Sequence, residues 1–165
     1  MALTTTHAPE TKNAQTVGMA QIAIVTDPGV VRTVLGSCIG LLLYHAARKT
    51  GALAHIVMAQ QAGRTGPPGK FADTAVPWML QELSAKGAGR AGLTAKITGG
   101  AAMFGGSGPI QIGAANLDAV VRLLEEQRIP IVAQHVGGSK GRRVTFDSHT
   151  GDVIVEIVGQ QPVIL

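Results

Sequence analysis

Val30-Val31-Arg32-Thr33-Val34-Leu35-Gly36-Ser37-Cys38-Ile39-Gly40-Leu41-Leu42-Leu43-Tyr44 is the stretch on which the fold turns. Val30–Leu35 is rich in β-branched residues and predicts a strand. Gly36 and Ser37 before the cysteine, with Gly40 after it, predict a tight turn that places a thiol at the end of that strand. Ile39–Tyr44 is an unbroken apolar run. It fits a buried strand or the first turn of a short helix, and periodicity does not separate the two.

Working outward, Met19–Thr26 alternates apolar residues and predicts a first strand, with Asp27-Pro28-Gly29 as the turn after it. Beyond Tyr44, His45–Gly51 reads as a charged turn and Ala52–Met58 as another strand. Ala59–Lys70, with three glycines and two prolines, predicts a mobile loop. A helix follows, with Asp73 or Thr74 as its cap and Pro77 acceptable only in its first turn. Val76, Met79, Leu80 and Leu83 share one face of it. Ala95–Thr98 predicts a short strand. A second helix is expected over Asn116–Gln127, with Asn116 as a possible N-cap and Leu117, Val120, Val121 and Leu124 as its apolar stripe. Ile129–His135 predicts a strand, and Arg142–Phe146 with Asp152–Val158 a hairpin. Strands at both ends with two helices between argue against regular βαβ alternation. They predict an α+β fold, a mixed β-sandwich with flanking helices.

Composition sets the bounds. The 165 residues suit one domain with a real core, and 45% hydrophobic content predicts a globular chain. Aromatics are only 3%, so the core must come from Val, Ile, Leu, Ala and Met, and 22 glycines imply many turns. A net charge of +4 favours acidic partners but is too mild to argue for nucleic acid, and the scarcity of aromatics leaves little for base stacking. The apolar runs are far shorter than the roughly 20 residues a membrane span needs. Met1–Thr16 is polar and lacks the apolar segment of a signal peptide. With a single cysteine, this predicts a cytoplasmic protein. Residues 1–17 are expected to be a flexible tail and 18–165 a single domain.

Cys38 is the sole cysteine, and His55 follows it by 17 residues (55 − 38) in Gly51-Ala52-Leu53-Ala54-His55. A free cysteine is most often a small buried hydrophobe. A reactive one needs a partly exposed setting and a group to hold or accept its proton. His55 is the obvious base, although an apolar strand also accommodates an ordinary core histidine. His135, at a strand end, is the only rival. Thr33 reads either as a β-branched strand residue or as a hydroxyl that orients the histidine. The backbone amides around Gly36, Ser37 and Cys38 are natural donors for an oxyanion. The glycines of Gly99–Gly108 lack dinucleotide-binding spacing. Gly63–Lys70 fails as a phosphate loop because Phe71 stands where a Ser or Thr is required. Gly137–Arg143 reads as a solvated loop before an anion site. The chain has no cysteine/histidine cluster or H-E-x-x-H pattern, so no metal site and no cofactor is expected.

Over Met19 to Val158 the chain resembles the chemoreceptor glutamine deamidases (CheD family). Four pieces in order carry the resemblance. They are Leu35-Gly36-Ser37-Cys38 with Gly51-Ala52-Leu53-Ala54-His55; Gly69-Lys70-Phe71-Ala72-Asp73-Thr74-Ala75-Val76; Ala95-Lys96-Ile97-Thr98-Gly99-Gly100-Ala101-Ala102-Met103-Phe104; and Gly137-Gly138 with Gly141-Arg142, then an alternating strand and Thr150-Gly151. The chain departs from the pattern in three places. It is one residue shorter between Thr33 and Cys38. Ile112-Gly113-Ala114-Ala115-Asn116 lacks an arginine. Val57-Met58-Ala59 replaces a Met-Leu-Pro-like ending.

The resemblance implies a fold similar to the cysteine deamidase toxins. It also implies hydrolysis of glutamine side chains to glutamate on methyl-accepting chemotaxis receptors, with Cys38, His55 and Thr33 as the catalytic residues. Action on receptor methyl esters, and binding of a chemotaxis phosphatase of the CheC type, are known among such proteins. Two other classes stay open on the residues alone: a non-enzymatic adaptor for a phosphatase or receptor, and a different cysteine hydrolase such as a protease or esterase.

Overall fold

The computed structural model describes residues 14–103 and 112–165. Residues 1–13 of the expected tail, and Phe104 with the rest of the glycine-rich stretch after it, lie outside the described residues. Ten strands and two α-helices follow in the order β1 (Gln15–Thr16), β2 (Ile22–Thr26), β3 (Val30–Leu35), β4 (Ile39–His45), β5 (Thr50–Ile56), α1 (Ala72–Ala85), β6 (Leu93–Gly99), α2 (Ile112–Glu126), β7 (Ile131–Val136), β8 (Arg142–Asp147), β9 (Val153–Glu156) and β10 (Val163–Ile164). The strands form two five-stranded sheets, ordered β1-β3-β8-β9-β10 and β2-β5-β4-β6-β7. Two neighbour pairs, β1–β3 and β6–β7, are parallel and the remainder antiparallel, so both sheets are mixed. The α+β sandwich expected from the sequence is the architecture observed, with both helices on the outer face of the second sheet.

Side-chain alternation explains the layers. Ile39, Leu41 and Leu43 of β4, with Ala52, Ala54 and Ile56 of β5, pack against Val76, Met79 and Leu83 of α1 and Val120 and Leu124 of α2. The residues between them, Leu42, Tyr44 and Leu53, face the other way, onto Val31, Leu35, Val144, Phe146 and Val155 of the first sheet. Thus β4 and β5 are buried on both faces. That is why Ile39–Tyr44 shows no alternation and reads ambiguously in the sequence.

Three expectations need correction. The first strand starts at Ile22 rather than Met19. Gln15–Thr16 instead pairs with β3 and Val17 is 2% exposed, so the ordered fold reaches into the segment read as tail. In α1 neither Asp73 nor Thr74 is the cap. Phe71 holds that position, the Asp73 carboxylate accepts from the Gln61 amide at 3.0 Å, and Thr74 Oγ1 donates to the Pro68 carbonyl at 2.6 Å. Pro77 therefore lies inside the helix, past the first turn. Finally, α2 begins at Ile112, so Asn116 is an interior residue and not its N-cap. Both helices end in the same way. Ala88 donates to the Leu83 carbonyl and Gly87, with φ of 79°, to that of Ser84; Ile129 donates to Leu124 and Arg128, with φ of 57°, to Glu125.

Phe146 fills the space between the sheets, fully buried and edge-on to Tyr44 at 5.5 Å between ring centroids. Phe146→Ala is expected to cost about 3–5 kcal/mol, read as a lower denaturant midpoint at unchanged slope.

Candidate active site

The turn Gly36–Cys38 joins β3 of the first sheet to β4 of the second, so it crosses the end of the sandwich. Within β3, Val31, Thr33 and Leu35 share the inward face. Within β5, Leu53 and His55 share the face turned towards them. Thr33 and His55 therefore meet across the space between the sheets, with Thr33 Oγ1 at 2.8 Å from His55 Nδ1, and both are buried.

The third partner is a backbone group. Thr33 Oγ1 donates to the Val17 carbonyl at 2.7 Å. A hydroxyl has one proton. Since that proton goes to Val17, Thr33 Oγ1 can only accept from His55, and Nδ1 must be the protonated ring nitrogen. Nε2 is left as the basic lone pair. Val17 is held in place by its own amide, which donates to the Arg32 carbonyl at 2.8 Å. The sequence reading missed Val17. Its one signal there is a lone apolar residue closing a polar run.

Cys38 is half-buried against the apolar layer between the sheets. In the β4–β5 register Gly40 faces His55. Cys38 lies two residues before Gly40, in the turn that leads into β4. Gly40 itself offers no bulk. A Cβ there would come within 2.7 Å of Leu35 Cδ1, so the methyl groups of Leu35 use that space. The rival base is placed elsewhere. His135 is on β7, two strands from β4, and its Nδ1 accepts from Arg142 Nη1 at 2.9 Å.

Backbone bonds fix the turn from one side. Gly100 donates to the Cys38 carbonyl at 2.9 Å and Ala101 to the Gly36 carbonyl at 3.0 Å. No acceptor among the described residues takes the amides of Gly36, Ser37 or Cys38. Among the described residues, no group of three or more His, Cys, Asp or Glu side chains could hold a metal ion, and no helix is long and apolar enough to cross a membrane.

Burial pushes the Cys38 thiol above its ordinary value. Burial also holds His55 below its ordinary value, against the opposing pull of the Val17 carbonyl. Both shifts favour a neutral thiol beside a neutral imidazole. A resting thiolate beside a charged imidazole is disfavoured by the same burial.

Similarities to known proteins bear on what the chain is. Residues 57–157 match the family described as CheD chemotactic sensory transduction. The chain is 40% identical over 144 residues to the chemoreceptor glutamine deamidase CheD of Thermotoga maritima, covering 87% of this chain and 91% of that one. It is 42% identical over 149 residues to a probable chemoreceptor glutamine deamidase CheD of Clostridium botulinum, covering 87% and 92%. The chain belongs to the CheD family.

The site yields two expected outcomes. Iodoacetamide should alkylate Cys38 with a pH midpoint at or above the free-thiol value of about 8.5; a midpoint below about 7 would mean a resting ion pair instead. Thr33→Val should lower kcat by roughly 10- to 100-fold, because an imidazole without its orienting partner spends time in the wrong tautomer. Its alkylation profile should scarcely move, and wild-type kcat in this variant would remove Thr33 from the mechanism.

Proposed function

We propose that this chain hydrolyses glutamine side-chain amides to glutamate on methyl-accepting chemotaxis receptors, with Cys38 as nucleophile, His55 as acid–base and Thr33 as the group that orients His55. The observation that carries this reading is the chain of hydrogen bonds from Val17 through Thr33 to His55, which leaves Nε2 as the basic nitrogen. The names of the relatives and the family membership support the substrate.

In the first half-reaction the Cys38 proton passes to His55 Nε2 as the sulfur attacks the amide carbon of glutamine. The oxyanion forms beside the amides of the Gly36–Cys38 turn, which have no acceptor among the described residues. His55 returns the proton to the departing nitrogen, ammonia leaves, and a thioester remains. In the second half-reaction His55 takes a proton from water, the resulting hydroxide attacks the thioester, and Cys38 recovers its proton as glutamate forms. Atoms balance as glutamine plus water giving glutamate plus ammonia, with no cofactor in any step. The new carboxylate adds a charge to the receptor, and that charge is the signal. The family resemblance supports a cytoplasmic site of action and a CheC-type phosphatase as binding partner. Receptor methyl esters would follow the same path with methanol leaving.

The test is mass spectrometry of a receptor fragment incubated with the protein. Amide-to-acid conversion at glutamine is expected; a chain cut would indicate a protease, and an unchanged fragment an adaptor. Cys38→Ala should abolish conversion while circular dichroism stays native. His55→Ala should lose several orders of magnitude, as removal of a linked catalytic group does, and His135→Ala should stay active. Because His55 acts as a neutral base and burial holds its pKa down, the acid limb of kcat/KM should fall below the ordinary histidine value of about 6.5. An acid limb at or above that value would separate His55 from the profile.

A further inference from the structure

Asn116 is a polar residue in the interior of α2, 2% exposed. Such a residue is costly unless its amide finds partners. It finds them outside its own helix. Its Nδ2 donates to the Val57 carbonyl at 3.0 Å and reaches the Ser37 carbonyl at 3.5 Å. Val57 directly follows β5, the strand that carries His55, and Ser37 directly precedes Cys38. One side-chain amide therefore touches the backbone on both sides of the candidate site.

The Ser37 contact has a geometric consequence. The peptide bond between Ser37 and Cys38 is planar, and in the trans form its C=O and N–H point in opposite directions. Pulling the Ser37 oxygen towards α2 turns the Cys38 N–H away from it. That N–H has no acceptor among the described residues. The next carbonyl, that of Cys38, is held separately by the Gly100 amide. The orientation of the Cys38 amide is thus set from both sides, by a side chain before it and a backbone donor after it.

We propose that Asn116 is a positioning residue for the deamidation: with its amide anchored on the Val57 carbonyl, it draws the Ser37 carbonyl towards α2 and so aims the Cys38 amide at the oxyanion. This rests on the catalytic reading given above. It assigns Asn116 no contact with substrate.

The test exploits two reactions of the same thiol. Deamidation passes through a tetrahedral oxyanion; alkylation by iodoacetamide is a displacement at saturated carbon and needs no oxyanion donor. Asn116→Ala, and the near-isosteric Asn116→Asp, which presents oxygens to two carbonyls, should each lower kcat for a receptor fragment by about 10²-fold. KM should stay within about twofold, since ground-state binding is untouched. The rate and pH profile of Cys38 alkylation should match wild type, with native circular dichroism. Wild-type kcat in folded Asn116→Ala would overturn the proposal. So would a parallel fall in deamidation and alkylation, which would mean general loosening of the site. Failure of the wild-type protein to convert any receptor glutamine would instead overturn the catalytic reading, and the two failures are distinct.

Discussion

The hydrogen bond between Thr33 Oγ1 and His55 Nδ1 joins the two sheets, and much of the structure is arranged around it. A buried imidazole in an apolar layer is tolerated only when its polar atoms are satisfied. Satisfying this one requires Thr33 on the inward face of β3 and the Val17 carbonyl beside it, which in turn requires the β1 strand to pair with β3. Other polar links between the sheets have the same character. Tyr44 donates to the Ser148 carbonyl, Lys96 to those of Gly151 and Leu165, and Arg142 to that of His135. Apolar packing fills the middle of the sandwich, while these bonds fix how the sheets are aligned. A site built across the sheets inherits that alignment, which is what preorganised chemistry needs.

The sequence revealed those parts of the fold whose cause is local. β3 is observed with the bounds that its β-branched run predicts, and in the structure Thr33 is on its inward face. The apolar stripes of both helices are likewise as expected. β4 was ambiguous because it is covered on both sides, so the alternation that marks a strand is absent. The helix starts were misplaced because the polar residues near them serve tertiary partners. Asp73 binds the Gln61 amide and Asn116 binds the turn before Cys38, and neither partner is near in sequence. Cys38, His55 and Thr33 were singled out by residue type, spacing and family resemblance, and the structure brings Thr33 and His55 together. Val17 was not, because its contribution is a carbonyl that every residue has.

The electrostatics of the site follow from burial more than from charge. Desolvation raises the thiol and lowers the imidazole, and both shifts favour the neutral forms. A neutral thiol is a poor nucleophile towards stray electrophiles and oxidants, because the thiolate is the reactive form. Burial of Cys38 thus works against unselective reaction of its sulfur.

The seat of the nucleophile is more constrained than the nucleophile itself. Gly99 has φ of 99°, and a Cβ there would lie 2.2 Å from the Cys38 carbonyl oxygen, so both its conformation and its space exclude a side chain. Cys38, by contrast, sits half-buried beside small and flexible groups, and a smaller residue fits. In evolutionary terms the two positions have unequal freedom. A lineage could change position 38 and keep the sandwich, whereas a change at 99 would displace the turn that carries position 38. The scaffold therefore tolerates variation at the thiol more readily than beneath it, and the glycine should outlast the cysteine.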